Sequence, residues 1–172
     1  MRIEVIRNEQ KGASMQKMMV NDSLEFVMPE GFRLMDHEEL VQAYELDYPC
    51  MWGMRDEERH VVLSVFWKVN NKLLAKLATP KLVADSRQNT LRRILKGREP
   101  HFDEKFTCEI AGQKAQGLRY GYVNKGNSYT CEYVVVMNGR ACYTIDYYSR
   151  SDLAEANRPI YEEVLSSMTF VG

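Results

Sequence analysis

The stretch SYTCEYVVVMNGRACYTIDYY, residues 128–148, decides the fold class of this chain. Ser128 to Met137 is rich in valine and tyrosine, types that suit a pleated surface, and Arg140 to Tyr148 repeats the character. Between them Asn138-Gly139 is the dipeptide that tolerates the positive backbone angles of a tight type I′ hairpin. Setting the turn on those two residues pairs Met137 with Arg140, Val135 with Cys142, Val134 with Tyr143 and Cys131 with Asp146. Successive side chains point to opposite faces, so Val134, Val136, Ala141, Tyr143, Ile145 and Tyr147 share one face. Cys131, Tyr133, Val135, Met137, Cys142 and Tyr148 share the other. Both faces are apolar, whereas a sheet with one wet side alternates cleanly, so the sheet needs helices or the N-terminal strands over both sides.

Working outward, Phe106, Cys108 and Ile110 alternate before Gly112, and Leu118, Tyr120 and Tyr122 alternate before Asn124-Lys125-Gly126-Asn127. A meander of four strands thus runs from Phe102 to Tyr148. Gly117 and Gly121 fall inside one of these strands, where they relieve a bulge or a crowded cross-strand contact. Upstream, residues 71–96 read as a helix broken at Pro80, with Thr79 as cap and Gly97 as stop. Its inner side is Val83, Arg87, Thr90, Leu91, Ile94 and Leu95, with the stem of Arg87 covering the edge, and its outer side is basic. Met51 to Met54 and His60 to Val69 form a hairpin across a charged turn. Asp36 and Glu39 mark a capping box for a short helix, and Leu24 to Met28 and Ile3 to Ile6 read as short strands. Residues 8–23 between them read as a flexible loop or the tip of a long hairpin. A last helix follows Asp152 and Glu155, a second capping box, with Ala156, Ile160, Val164 and Leu165 inward; Pro159 either kinks it or falls in the first turn of a helix that begins near Asn157.

The 172 residues suffice for one core, no linker or repeat divides them, and residues 1–172 are read as a single domain. Net charge is −1, from 23 basic and 24 acidic side chains, so no global field draws in nucleic acid. No apolar run approaches the ~20 residues of a membrane-spanning helix, and the N-terminus lacks a signal-like apolar run. Cys50, Cys108, Cys131 and Cys142 form no CxxC pair and read as reduced thiols. A cytoplasmic location is expected.

Metal chemistry needs clustered donors, and His37, His60 and His101 have no metal-ligand spacing, so no metal and no cofactor are expected. A thiol nucleophile would require Cys108, Cys131 or Cys142 to meet His101. Phosphate-binding motifs are missing. The polar residues that stand out are Glu132 and Asp146, carboxylates on largely apolar strands, where an isolated charge must be paired or neutralised. Arg119 on the preceding strand is a candidate partner. With Tyr133 and Tyr143 these residues could line a polar pocket or form a structural bridge.

Two short motifs carry a family resemblance. Leu24 to Phe32, a strand followed by Pro29-Glu30-Gly31-Phe32, resembles the opening of PsbP-like domains, and Ile160 to Phe170 resembles their terminal helix with its Ser-x-x-Phe-like tail. The resemblance spans about residues 24–170. It implies an α+β fold, a central twisted antiparallel sheet with helices packed on both faces, and a binding or assembly role rather than catalysis. The chain departs from the lumenal and envelope members in lacking an export signal, and no Ran-binding residues of the related nucleotide-release factor can be matched. The expected function is therefore a non-enzymatic protein-interaction or assembly domain that meets an unknown protein partner or itself, without integral membrane contact. A small-molecule domain with a tyrosine-lined pocket is the alternative, and a hydrolase-like enzyme the third.

Overall fold

The computed structural model describes residues 4–5 and 16–171. In chain order the elements are β1 (Glu4–Val5), β2 (Gln16–Val20), β3 (Leu24–Met28), β4 (Arg33–Leu34), α1 (His37–Tyr44), β5 (Met51–Asp56), β6 (Val61–Val69), α2 (Lys72–Leu77), α3 (Pro80–Ile94), β7 (His101–Ile110), β8 (Gln113–Asn124), β9 (Asn127–Asn138), β10 (Ala141–Arg150), α4 (Ala154–Ser167) and β11 (Thr169–Phe170). The seven-stranded sheet runs β4-β5-β6-β10-β9-β8-β7, antiparallel throughout, so the hairpin β9–β10 lies inside it. A smaller sheet, β1-β2-β3-β11, covers part of one face. The fold is α+β, as expected.

Both faces of the large sheet are buried, for different reasons. On one, Val134, Val136, Tyr143, Ile145 and Tyr147 meet Met18, Val20, Leu24 and Phe26 of the small sheet and Tyr161 and Val164 of α4. On the other, Cys131, Tyr133, Val135 and Cys142 meet Ala84, Leu91 and Leu95 of α3, while Leu40 of α1 packs with Met51, Val62 and Phe66. This explains why β6 reads as an unbroken apolar run: residues 61–66 are buried on whichever face they point to.

Several local expectations are met. Asp36 and Glu39 form a reciprocal capping box, and Thr79 caps α3 through Leu82 with Pro80 in the first turn. Gly97 follows α3 with φ +87°. Gly117 and Gly121 lie under the rings of Phe106 and His101 from the neighbouring strand, where a Cβ would stand less than 3 Å from ring atoms.

Others are corrected. The ladder of β9 and β10 pairs Cys142 with Met137, Tyr143 with Val136 and Asp146 with Tyr133, two residues away from the expected register. Asn138 remains in the ladder opposite Ala141, and the turn falls on Gly139 and Arg140 with the positive φ on Gly139, a pattern of type II′ turns. Because the shift is two residues, every side chain keeps its predicted face. For residues 8–23, expected as a flexible loop or a hairpin tip, residues 16–20 form β2 and pair with β3 around a turn at 21–23, a hairpin, while residues 8–15 lie outside those described. The same holds for Ile3 and Ile6 of the expected first strand; Glu4 and Val5 pair with β2. α4 has no side-chain cap, because a 3-10 turn over Ser151–Leu153 precedes it and puts Leu153 at its N-cap; Asn157, Tyr161 and Val164 are its fully buried residues, Ile160 and Leu165 of the expected stripe pack partly buried against the core, and Ala156 is exposed. Pro159 sits inside α4.

Candidate functional site

The two carboxylates singled out in the sequence are both buried, and they lie on opposite faces of the sheet. Glu132 is on the face under α4, where its Oε2 accepts from Arg119 Nε and from Arg158 Nη1, each at 2.7 Å. Arg119 lies over Phe106 and Arg158 over Tyr161. This is a carboxylate held by two guanidinium groups, the arrangement that makes a buried charge tolerable. Tyr143 is on the same face and takes a hydrogen bond from Asn21 Nδ2 at 3.0 Å.

Asp146 and Tyr133 project to the α3 side. Asp146 is paired with Arg87 of α3, not with Arg119, and Arg87 lies over the rings of Phe66 and Tyr133. Burial pushes the Asp146 carboxyl above its ordinary range, while the Arg87 guanidinium pulls the other way. Asp146 Oδ1 and Arg87 Nε have no hydrogen-bond partner among the described residues. The Tyr133 hydroxyl donates to Ala84 O at 2.7 Å and fastens α3 to the sheet. The five residues therefore do not converge on one pocket: alternation sends Arg119, Glu132 and Tyr143 to one face and Tyr133 and Asp146 to the other.

The concave surface lies instead around Arg87. A cleft of about 590 Å³ opens between α2–α3 and the floor of β6 and β10. Its walls are Leu46 and Tyr48 after α1 and Leu74, Leu77 and Leu82 opposite, with Phe66, Cys142 and Thr144 beneath. Four of these wall leucines, Leu46, Leu74, Leu77 and Leu82, are between 46% and 64% exposed. Large apolar side chains clustered at a concavity mark a binding surface more often than isolated ones do. Beside it, sharing Leu46, Phe66, Arg87 and Thr90, is a cavity of about 210 Å³ lined by Tyr44, Tyr120, Tyr122 and Tyr148. A tyrosine-lined cavity thus exists, but Tyr133 and Tyr143 are not among its lining residues.

Sequence reasoning missed this cleft because its walls come from elements far apart in the chain. Two signals were present: an arginine on the inner stripe of α3, and the run Lys72-Leu73-Leu74-Ala75-Lys76-Leu77, whose leucines had no partner to face. Thr90 and Ile94, assigned to the core, are exposed, and Ile94 is 54% accessible at the mouth of the smaller cavity. Among the described residues no group of three metal-ligating side chains is present. His101 stands on the outermost strand of the large sheet, over Gly121. Burial raises the thiols of Cys108 and Cys131, and Cys142 up to about 11, opposite to the shift a thiolate nucleophile needs.

No family model matches the chain, and no curated protein does. Solved structures are similar to it. The solution structure of cyanobacterial PsbP from Synechocystis sp. PCC 6803 aligns with a TM-score of 0.71 at 20% identity, over 96% of this chain and 98% of that one. A crystal structure from Bacteroides thetaiotaomicron gives a TM-score of 0.59 at 11% identity, over 91% of this chain and 48% of the other. LpqN of Mycobacterium tuberculosis, described as involved in cell envelope biogenesis, gives 0.52 at 12% identity, over 99% and 91%. At these identities the likeness is one of fold, and the chain has a PsbP-like fold. No helix among the described residues is long and apolar enough to cross a membrane.

Proposed function

We propose that this PsbP-like domain is a non-enzymatic protein-interaction domain that captures an apolar segment of a partner in the cleft between α2–α3 and the sheet. The observation that carries the reading is the row of exposed leucines, Leu46, Leu74, Leu77 and Leu82, on the walls of one concavity. Most of both faces of the large sheet is covered by the chain's own elements, and the cleft lies where β6 and β10 are left open beside α2–α3. The four cysteines are unpaired, which supports a reducing, cytoplasmic setting.

A second reading, a small-molecule site, draws on the tyrosine-lined cavity. Its 210 Å³ falls below the ~300 Å³ of ordinary ligand pockets. Binding of a compact aromatic there is the more limited alternative.

A photoreactive amino acid placed at position 82, with Lys114 on the far hairpin as control position, tests the proposal in the source cell. A polypeptide adduct at 82 that is absent at 114 supports it. Equal labelling at both positions, or no polypeptide adduct at 82, refutes it, and a product of twice the chain mass would replace it with self-association.

A further inference from the structure

Resting on that reading of the cleft, we infer that the segment it takes is an acidic amphipathic helix. Three features of the cleft argue for this.

The first is α2. It has six residues, none buried, and presents Leu73, Leu74 and Leu77 at 70%, 46% and 64% exposure. A helix this short has no stability of its own in water, and helices in folded proteins form chiefly by burying an apolar face. α2 is instead held between β6 and α3, with the Asn71 side chain accepting from Leu74 N at 2.8 Å. The chain holds this turn in place with its leucines uncovered.

The second is the backbone. An extended segment binds by adding to a sheet edge. β6 is paired with β5 and β10, and β10 with β6 and β9, so the floor of the cleft offers no such edge. A helix satisfies its own backbone and needs only a groove for leucine-like side chains at positions i, i+3, i+4 and i+7.

The third is charge. Residues 68–98 carry nine basic side chains and one acidic, Asp85, in a chain whose net charge is −1. Arg87 and Arg98 of this segment are matched by Asp146 and Glu45. Lys68, Lys72, Lys76 and Lys81, with Arg140 beside α2, have no carboxylate partner among the described residues. These cations border the exposed leucines. On the opposite side Glu45 is held by Arg98 and Asp47 by His37. The complementary surface is apolar along its centre and acidic along the edge that meets α2. An anionic bilayer shares the charge but presents a plane, whereas Leu46, Leu74, Leu77 and Leu82 line a concavity together with Phe66, Cys142 and Thr144.

The test uses the full chain and three fluorescent helical peptides of about 20 residues, sharing one leucine face and differing only in the polar face: glutamate, glutamine or lysine. Vesicles of phosphatidylcholine with phosphatidylglycerol form a fourth arm. Affinity is read by anisotropy at low and high salt. Three or four exposed ion pairs should make the glutamate peptide bind about tenfold more tightly than the lysine peptide. Lys72→Glu with Lys76→Glu, at exposed positions that leave the core untouched, should remove most of that preference, and Leu77→Asp should weaken all three peptides. Equal binding of the three peptides overturns the acidic assignment and leaves the cleft reading intact. Failure of all three peptides overturns both. Vesicle binding stronger than that of the glutamate peptide, lost in the Lys72→Glu/Lys76→Glu variant, replaces the acidic helix with a membrane surface.

Discussion

Replacing Asp146 by alanine leaves Arg87 with its charge and without its partner beneath the cleft. The Asp146 side chain is 3% exposed and that of Arg87 23%, so water replaces little of what is removed. Breaking a buried ion pair from one side costs about 3–5 kcal/mol. Here the lower end applies, because Arg87 keeps some access to solvent and still stacks on Phe66 and Tyr133 at 5.3 and 5.5 Å. We expect a loss of about 3 kcal/mol, which lowers the urea midpoint by about 1.5 M for a slope near 2 kcal/mol/M. Removing both charges behaves differently. Asp146 Oδ1 and Arg87 Nε have no further partner among the described residues, so the pair recovers only part of its desolvation. Arg87→Met with Asp146→Leu should therefore lie within about 1 kcal/mol of the parent, far from the sum of the two single losses. Urea unfolding of the parent, Arg87→Met, Asp146→Leu and the double variant, followed by tyrosine and tryptophan fluorescence at constant slope, measures the cycle, with Asp146→Ala alongside. A single-variant loss below about 1 kcal/mol, or a double variant as unstable as the sum, would refute the assignment of this pair as buried and mutually dependent.

Two further outcomes follow from other contacts. Tyr133→Phe removes the hydroxyl that donates to Ala84 O and should cost about 1 kcal/mol; faster hydrogen exchange in α3, with α4 unchanged, is the signature, and uniform acceleration would contradict it. Glu39 is held down to about 2 by its hydrogen bond from Arg33 and by the Asp36 amide, against an ordinary 4.5. Since the folded value is the lower one, the stabilisation from this cap is complete above the ordinary range and is lost as pH falls through about 2. Carboxyl NMR should show Glu39 titrating there, and Arg33→Gln should move it upward; an unchanged midpoint would disconnect Arg33 from the cap.

Much of the fold was legible because the relevant rules are local. The capping box at Asp36 and Glu39, the break at Thr79-Pro80 and the stop at Gly97 depend on side chains and backbone angles within a few residues. The register of β9 and β10 was missed by two residues because Asn138-Gly139 and Gly139-Arg140 are both workable turns, and the faces alone cannot separate registers that differ by two. The capping box at Asp152 failed because a 3-10 turn over Ser151–Leu153 precedes the helix and puts Leu153 at its N-cap.

By itself the sequence determined that one sheet is buried on both sides, and which residues of residues 128–148 share each side, since alternation is a property of the strand alone. It also marked Glu132 and Asp146 as charges in need of partners. Only the tertiary structure decided those partners. Arg87 is 59 positions from Asp146, and it reaches the carboxylate because α3 lies over that face; Arg119 shares the opposite face with Glu132. The same packing leaves the leucines of α2 unburied beside an open cleft. A strand's pattern states that a face needs cover, while the cover, and the gap left in it, depend on how distant segments pack.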